Sequence, residues 1–195
     1  FEIHFISTDP DQPGVAWENE FLEVHSVPLK HRIQCNGFLF REKEHERKLI
    51  KSFIHEFQIG LEEMIQLKKN QSVKREKGKD LLPDEICYPI QRRRSYFFCS
   101  DTLPISHPYP PLQNVDLIYH ESTFLNEHQA RAKSTFHSTA EQAAGVAKFL
   151  KANLLILGHF SARYKEMSVF IQEAHRVFPN VALAEEGKTW SIPLD

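Results

Sequence analysis

Val115-Asp116-Leu117-Ile118-Tyr119-His120-Glu121-Ser122-Thr123-Phe124 reads as a buried strand that ends in a polar cluster. A short apolar run bounded by polar or glycine residues has the signature of a strand covered on both faces. Two further stretches repeat the pattern. Tyr96-Phe97-Phe98-Cys99-Ser100-Asp101-Thr102 closes on an aspartate, and Leu154-Leu155-Ile156-Leu157-Gly158-His159-Phe160-Ser161-Ala162-Arg163-Tyr164 closes on a histidine. Between the second and third strands of this set lies His137-Ser138-Thr139, where Ser138-x-x-Glu141 and Thr139-x-x-Gln142 both have the form of a helix capping box. Ala140, Ala143, Ala144, Val146, Ala147, Phe149 and Leu150 follow as a small-residue helix able to pack closely on a sheet. Sheets of α/β proteins place their chemistry at strand carboxyl ends. Three such ends and one helix start, all offering histidine or carboxylate, point to a metal-assisted hydrolase.

Outward from this centre the chain reads as α/β. Glu2 to Ile6 and Phe21 to Val27 have strand patterns, Pro28-Leu29-Lys30-His31 ends the second, and Gly37-Phe38-Leu39-Phe40 starts the next. From Glu44 to Asn70 the register becomes helical: Leu49, Ile50, Phe53, Ile54, Phe57, Leu61, Met64 and Ile65 recur at spacings of three and four. Ile59 and Leu67 fall off that stripe, and Gly60 is a point where the helix breaks. Gln71 to Asp80 is Lys-rich and reads as a loop, and Leu103 to Leu112, with four prolines, must be irregular. Beyond Tyr164, Lys165 to Phe178 reads as a helix, and Val181 to Leu183 with Thr189 to Ile192 as a closing pair of strands.

Composition narrows the class. A chain of 195 residues, 41% hydrophobic and 26% charged, is an ordinary globular protein without a membrane-length apolar run. Three widely spaced cysteines without a CxxC pair argue for a reducing, cytoplasmic setting and against a thiolate zinc site. Net charge is −2, but Arg41 to Arg94 holds 14 Lys and Arg against 10 Asp and Glu, a local +4. Arg92-Arg93-Arg94 is either a solvated face or a phosphate-contacting ledge. His31, Asp101 and His159 are metal-ligand candidates by residue type, since imidazole and carboxylate suit Zn²⁺ and an aspartate can bridge two ions. Their bland readings are a turn aspartate and satisfied histidines.

In order along the chain, these motifs resemble ribonuclease Z, the tRNA 3′-processing endonuclease of the metallo-β-lactamase fold. Pro28-Leu29-Lys30-His31 with Gly37-Phe38, Cys99-Ser100-Asp101-Thr102, His120-Glu121-Ser122-Thr123-Phe124, His137-Ser138-Thr139 and Leu157-Gly158-His159 through Tyr164 each look like a motif of that family. The resemblance implies the C-terminal part of an αββα sandwich, one incomplete domain over residues 1–195, with residues 41–94 as an inserted helical arm that contacts tRNA. It implies two Zn²⁺ per complete site, with His31 on one ion, Asp101 bridging and His159 on the second. Glu121 and His137 would form a pair that protonates the leaving oxygen, because a carboxylate beside an imidazole favours its proton-donating form. Arg163 would hold a phosphate or, with Tyr164, pack around the last ligand loop. The resemblance further implies precursor tRNA as substrate and a homodimer.

Two departures qualify the likeness. The family's His-x-His-x-Asp-His signature occurs nowhere in the chain, and Phe1 opens without Met directly into a strand-like pattern. The expectation is therefore a missing N-terminal part, with too few ligands here to close a zinc site and no activity from this chain alone. The arm also lacks a Gly-Pro motif. Two alternatives stay open: another phosphodiesterase of the same fold, and a non-catalytic half that binds RNA or a partner.

Overall fold

The computed structural model describes residues 2–107 and 109–194. They divide into two compact units, residues 2–42 with 94–193, and residues 43–93 grouped with Leu194. Phe1 and Pro108, which the sequence reading used, lie outside the described residues.

Seven strands form the sheet of the first unit: β1 (Gly14–Glu18), β2 (Leu22–Leu29), β3 (Cys35–Glu42), β4 (Ser95–Cys99), β5 (Leu117–Glu121), β6 (Leu154–Gly158) and β7 (Val181–Leu183). They lie side by side in chain order, antiparallel from β1 to β4 and parallel from β4 to β7. Parallel neighbours need a crossover. Between β5 and β6 the crossover carries the helices Gln129–Ser134 and Ala140–Phe149, and between β6 and β7 it carries Ser168–His175. Among the described residues the link from β4 to β5 has no α-helix, only the proline-rich loop and a 3₁₀ turn at Pro110–Leu112.

The alanines of the Ala140–Phe149 helix are what allow it to sit on the sheet. Ala140, Ala143, Ala144 and Ala147 are fully buried in one core with Phe97, Ile118, Leu155, Leu157 and Phe170. Complete burial of a ring such as Phe97 or Phe170 contributes roughly 1.5–3 kcal/mol. That helix starts on Thr139, whose hydroxyl accepts from the Gln142 amide (3.2 Å) while the Gln142 side chain accepts from the Thr139 amide (3.0 Å). Of the two capping boxes the sequence offers, this one forms. Ser138 instead donates to the Thr102 carbonyl at 2.8 Å, tying the helix start to the end of β4. At the opposite end of the strands, the buried Asp116 accepts from the Ser95 amide (2.7 Å), the Ser95 hydroxyl (2.9 Å) and the Asn153 amide group (3.0 Å). One carboxylate thus pins the starts of β4, β5 and β6. On the other face of the sheet, Phe40 stacks on Tyr96 and Phe98 on Tyr119, with centroids 6.0 and 5.0 Å apart.

The second unit has its own small core. Its helices α1 (Lys51–Glu56), α2 (Leu61–Lys68) and α3 (Pro83–Ile86) are short and enclose Leu49, Ile59, Leu67, Val73, Leu81, Ile86 and Cys87. The three helices of the first unit are accordingly α4 (Gln129–Ser134), α5 (Ala140–Phe149) and α6 (Ser168–His175). Arg47, almost fully buried, donates to Asn70 (2.9 Å), Asp84 (2.6 Å) and the Tyr88 carbonyl (3.3 Å). Arg75 grips Glu63 with two nitrogens and the Phe57 carbonyl with a third.

Several sequence expectations are corrected here. Glu2 to Ile6 is not a strand: its residues lack pairing partners and are exposed. Glu44 to Ile50 is not helical, and the helix that follows splits between Gln58, whose φ is 47°, and Gly60. The break resets the helical phase. Leu61 and Ile65, on the expected stripe, are 74% and 47% exposed, whereas Leu67, off it, is fully buried. Thr189 to Ile192 forms no strand. The loop expected from Gln71 to Asp80 is partly ordered by paired backbone bonds between Val73 and Leu81.

Candidate metal centre

The site is built on the buried carboxylate of Glu121, the last residue of β5. One of its oxygens accepts from the Thr102 amide (2.9 Å) and from His137 Nδ1 (2.8 Å). The other accepts from the Thr123 amide (3.0 Å) and the Thr123 hydroxyl (2.7 Å). With four donors the charge is fully satisfied, which a fully buried carboxylate requires. Glu121 thereby fastens three segments: the loop after β4, its own loop, and the His137 turn.

Three imidazoles converge above it, each with Nδ1 occupied by a different partner. His31 Nδ1 lies 3.0 Å from the Phe136 carbonyl. His137 Nδ1 lies 2.8 Å from Glu121. His159 Nδ1 lies 2.8 Å from the Thr123 hydroxyl, whose proton is committed to Glu121. An acceptor on Nδ1 fixes the Nδ1–H tautomer and leaves Nε2 with its lone pair, the form that ligates metal. The Asp101 carboxylate completes the set, 3.3 Å from His159 Nε2 and 3.9 Å from His137 Nδ1. Two overlapping donor groups result, His31–Asp101–His137 and Glu121–His137–His159. Imidazole nitrogen and carboxylate oxygen, each imidazole oriented by a further hydrogen bond, fit a divalent cation of the zinc type.

The backbone is bent to make this possible. Asp101, Phe136 and His159 all take left-handed conformations, with φ of 52°, 61° and 57°. Such conformations are rare for residues with a side chain, and clustering at one site is a mark of functional geometry. His159 directly follows β6, and Asp101 lies two residues past the end of β4. There the left-handed turn swings Asp101 and His159 out of the sheet's alternation toward one another. Thr102 locks the turn, accepting from the Lys30 amide (3.0 Å) and donating to the Leu103 carbonyl (2.7 Å).

The sequence candidates are distributed as follows. His31, Asp101, Glu121, His137 and His159 come together. His137, expected as a proton donor only, also stands among the ligand candidates. Arg163 projects nearby, its guanidinium 5.0 Å from the Phe124 ring and its Nε 3.2 Å from the Ser161 hydroxyl. Tyr164 accepts from the Leu125 amide at 3.1 Å and packs edge-on against Phe170. Arg92 and Arg93 belong to the second unit, where they line a cleft of about 600 Å³ with Lys68, Lys69, Glu44 and Glu46, and Arg93 lies 3.9 Å from Glu44. Arg94 differs from the expected ledge: its guanidinium forks around Glu42, which raises its pKa further. That pairing occupies the donors a phosphate would need.

Sequence reasoning missed Thr123, which couples Glu121 to His159; a hydroxyl two residues past a strand-end carboxylate was the available signal. It also gave His120 no role of its own. His120 is fully buried, with Nδ1 2.6 Å from the Glu121 carbonyl, and burial pushes its pKa down. Burial likewise drives the Cys99 thiol well above the usual range.

The fold is that of metallo-β-lactamase fold proteins. The structure aligns with the human short-form tRNase Z at a TM-score of 0.53 and 24% identity, covering 92% of this chain and 46% of that one. It aligns with the metallo-β-lactamase fold protein YhfI of Bacillus subtilis at a TM-score of 0.56 and 17% identity, covering 95% and 54%. No family model matches the chain. In sequence, the chain is homologous over nearly its whole length to proteins named Ribonuclease Z. It is 42% identical to that of Cytophaga hutchinsonii over 193 residues, 98% of this chain and 61% of the relative. For the Parabacteroides distasonis protein the figures are 38% over 192 residues, 98% and 63%. The chain thus spans about three-fifths of the length of these curated relatives.

Proposed function

We propose that the protein acts as a ribonuclease Z-type endoribonuclease that removes the 3′ trailer from precursor tRNA, using zinc. The observation that supports this most is the 42% identity to a protein named Ribonuclease Z across 98% of the chain. The likeness of fold to YhfI is as good as that to tRNase Z, so fold alone does not select the substrate.

In this reading His31, Asp101 and His159 would hold the metal. Bound zinc would polarise a phosphoryl oxygen and lower the pKa of an attacking water. The chain's own groups do the rest. Glu121 holds His137 by Nδ1 and leaves Nε2 free to take up the proton that the attacking water loses and pass it to the departing ribose oxygen. Thr123 holds His159 in the ligating tautomer. Arg163, resting on the Phe124 ring, offers a forked donor to a neighbouring phosphate. Arg92 and Arg93, with Lys68 and Lys69, offer the second unit's cleft to the RNA backbone. Homodimers in the cytoplasm, one subunit's Lys43–Arg93 unit presenting tRNA to the other, complete the proposal.

The test is cleavage of a labelled precursor tRNA by the natural-length protein, after chelation and after zinc is restored. Zinc-dependent release of the trailer as one product supports the reading. Intact precursor under conditions where the protein holds zinc overturns it.

A further inference from the structure

A cavity of about 1050 Å³ opens beside the metal centre, entirely within the first unit. It is lined by residues flanking two ligand candidates, Lys30 before His31 and Thr102 after Asp101, and extends along the loop after β4 to Lys133 on α4. Its floor is apolar, from Val27 and Leu112. One wall is the ring of Tyr109, held still because its hydroxyl meets His25 Nδ1 at 2.8 Å. Lys30 and Lys133, both exposed, are in its lining, and among the described residues Asp11 is the one acid there.

Apart from Thr102, which locks the Asp101 turn, none of these side chains belongs to the metal site. Together they match the chemistry of an unpaired RNA strand: cations for phosphates, an immobilised aromatic face for a base, and apolar surface beneath. Continuity with the site sets which strand. Thr102 follows Asp101 directly and Lys30 precedes His31, so an unpaired strand leaving a phosphate held at the site can pass straight into the cavity. The cavity is of small-ligand size, so it admits one or two nucleotides and excludes a base-paired stem. The body of a precursor tRNA reaches the cut as a stem, whereas the trailer reaches it unpaired.

We infer that this cavity is the binding site for the first nucleotides of the single-stranded 3′ trailer, with Lys30 and Lys133 contacting their phosphates. The inference rests on the proposed nuclease reading and adds the path of the leaving strand.

The test has two arms. In the first, a five-nucleotide single-stranded RNA is titrated into the chain and followed by amide NMR. Saturable shifts at Ile105, Tyr109 and Lys133 are expected. Lys133→Glu and Lys30→Gln, both changes of exposed side chains, should each weaken binding and lower the slope of log affinity against log salt by about 0.7. In the second arm, the natural-length protein cleaves precursors with trailers of one nucleotide or of several. Lys133→Glu should raise KM for the longer trailer and leave the one-nucleotide trailer unchanged. Shifts absent from the cavity, or a Lys133→Glu effect equal for both trailers, overturn the inference even where precursor cleavage proceeds normally. Cavity shifts that depend on Lys30 and Lys133, in a protein that cuts no precursor, would refute the nuclease reading and retain the cavity as a single-strand site.

Discussion

Replacing Thr123 with valine keeps the volume and branching of the side chain and removes one oxygen. That oxygen donates to Glu121 at 2.7 Å and accepts from His159 Nδ1 at 2.8 Å. In the variant the buried Glu121 oxygen keeps only the Thr123 amide at 3.0 Å, and His159 loses the acceptor that fixes its tautomer. Loss of a hydrogen bond to a charged group costs about 1.5–3 kcal/mol. Loss of a partner that orients a metal-ligating histidine typically lowers metal affinity about 10–100-fold. Zinc affinity of the Thr123→Val protein, measured by competition with a chromophoric chelator, should fall within that range, and Thr123→Ser should restore most of it. Long-range proton–nitrogen spectra of the metal-free chain give an independent reading. The ring of His159 should be the Nδ1–H tautomer in the wild type and in Thr123→Ser, and shift toward Nε2–H in Thr123→Val. An unchanged tautomer together with unchanged zinc affinity would refute the coupling of Glu121 to His159 through this hydroxyl.

Glu121→Gln turns one of two fully used oxygens into a donor facing other donors, and should lower thermal stability by about 2 kcal/mol or more, read by circular dichroism. An unchanged melting temperature would mean that the carboxylate does not hold the three segments together. Gly37→Ala would bring a Cβ to 2.7 Å from the Phe98 carbonyl, a backbone atom that cannot turn aside. It should destabilise the first unit by about 1–3 kcal/mol in denaturant titration, and full wild-type stability would contradict the close approach of β3 to β4. Acid should loosen the second unit through Glu63, whose pKa is held down first by its hydrogen bond from Arg75 and then by the Gly60 amide. A carboxylate with a depressed folded-state pKa contributes stability present above its ordinary value near 4.5 and lost as pH falls through the lower folded value. Denaturant titration of the second unit's NMR signals should show this acid loss in the wild type and a weaker one in Arg75→Ala; equal profiles would remove Glu63 from the account.

The centre of the molecule was legible because its strands are short and bounded by chemistry. Three apolar runs ending in Asp101, Glu121 and His159 became β4, β5 and β6, with their polar ends at one edge of the sheet. The alanine spacing and Thr139 likewise gave α5 and its cap. What stayed hidden was phase and pairing. A helical stripe counted through Gln58 assumes a continuous helix, and the left-handed turn there rotated Leu67 into the core and Leu61 out of it. Glu2 to Ile6 alternates like a strand but finds no edge to pair with among the described residues. Arg94 looked like part of a basic ledge because nothing local reveals that Glu42, far away in sequence, takes its guanidinium. At the site, residue types revealed the candidate ligands. The left-handed backbone at Asp101, Phe136 and His159, and the Thr123 hydroxyl between two functional groups, are properties of the folded loops.

The central claim is that the converging histidines and Asp101 serve an RNA phosphodiester. It is tested most directly by comparing precursor tRNA with a small chromogenic phosphodiester as substrates of the natural-length zinc protein, wild type and Asp101→Ala. The account predicts trailer release from precursor tRNA with a 3′-hydroxyl on the body, a large preference over the small ester, and loss of cleavage in Asp101→Ala. Hydrolysis of the small ester with the precursor left intact would contradict it and favour a phosphodiesterase of small substrates on the same fold.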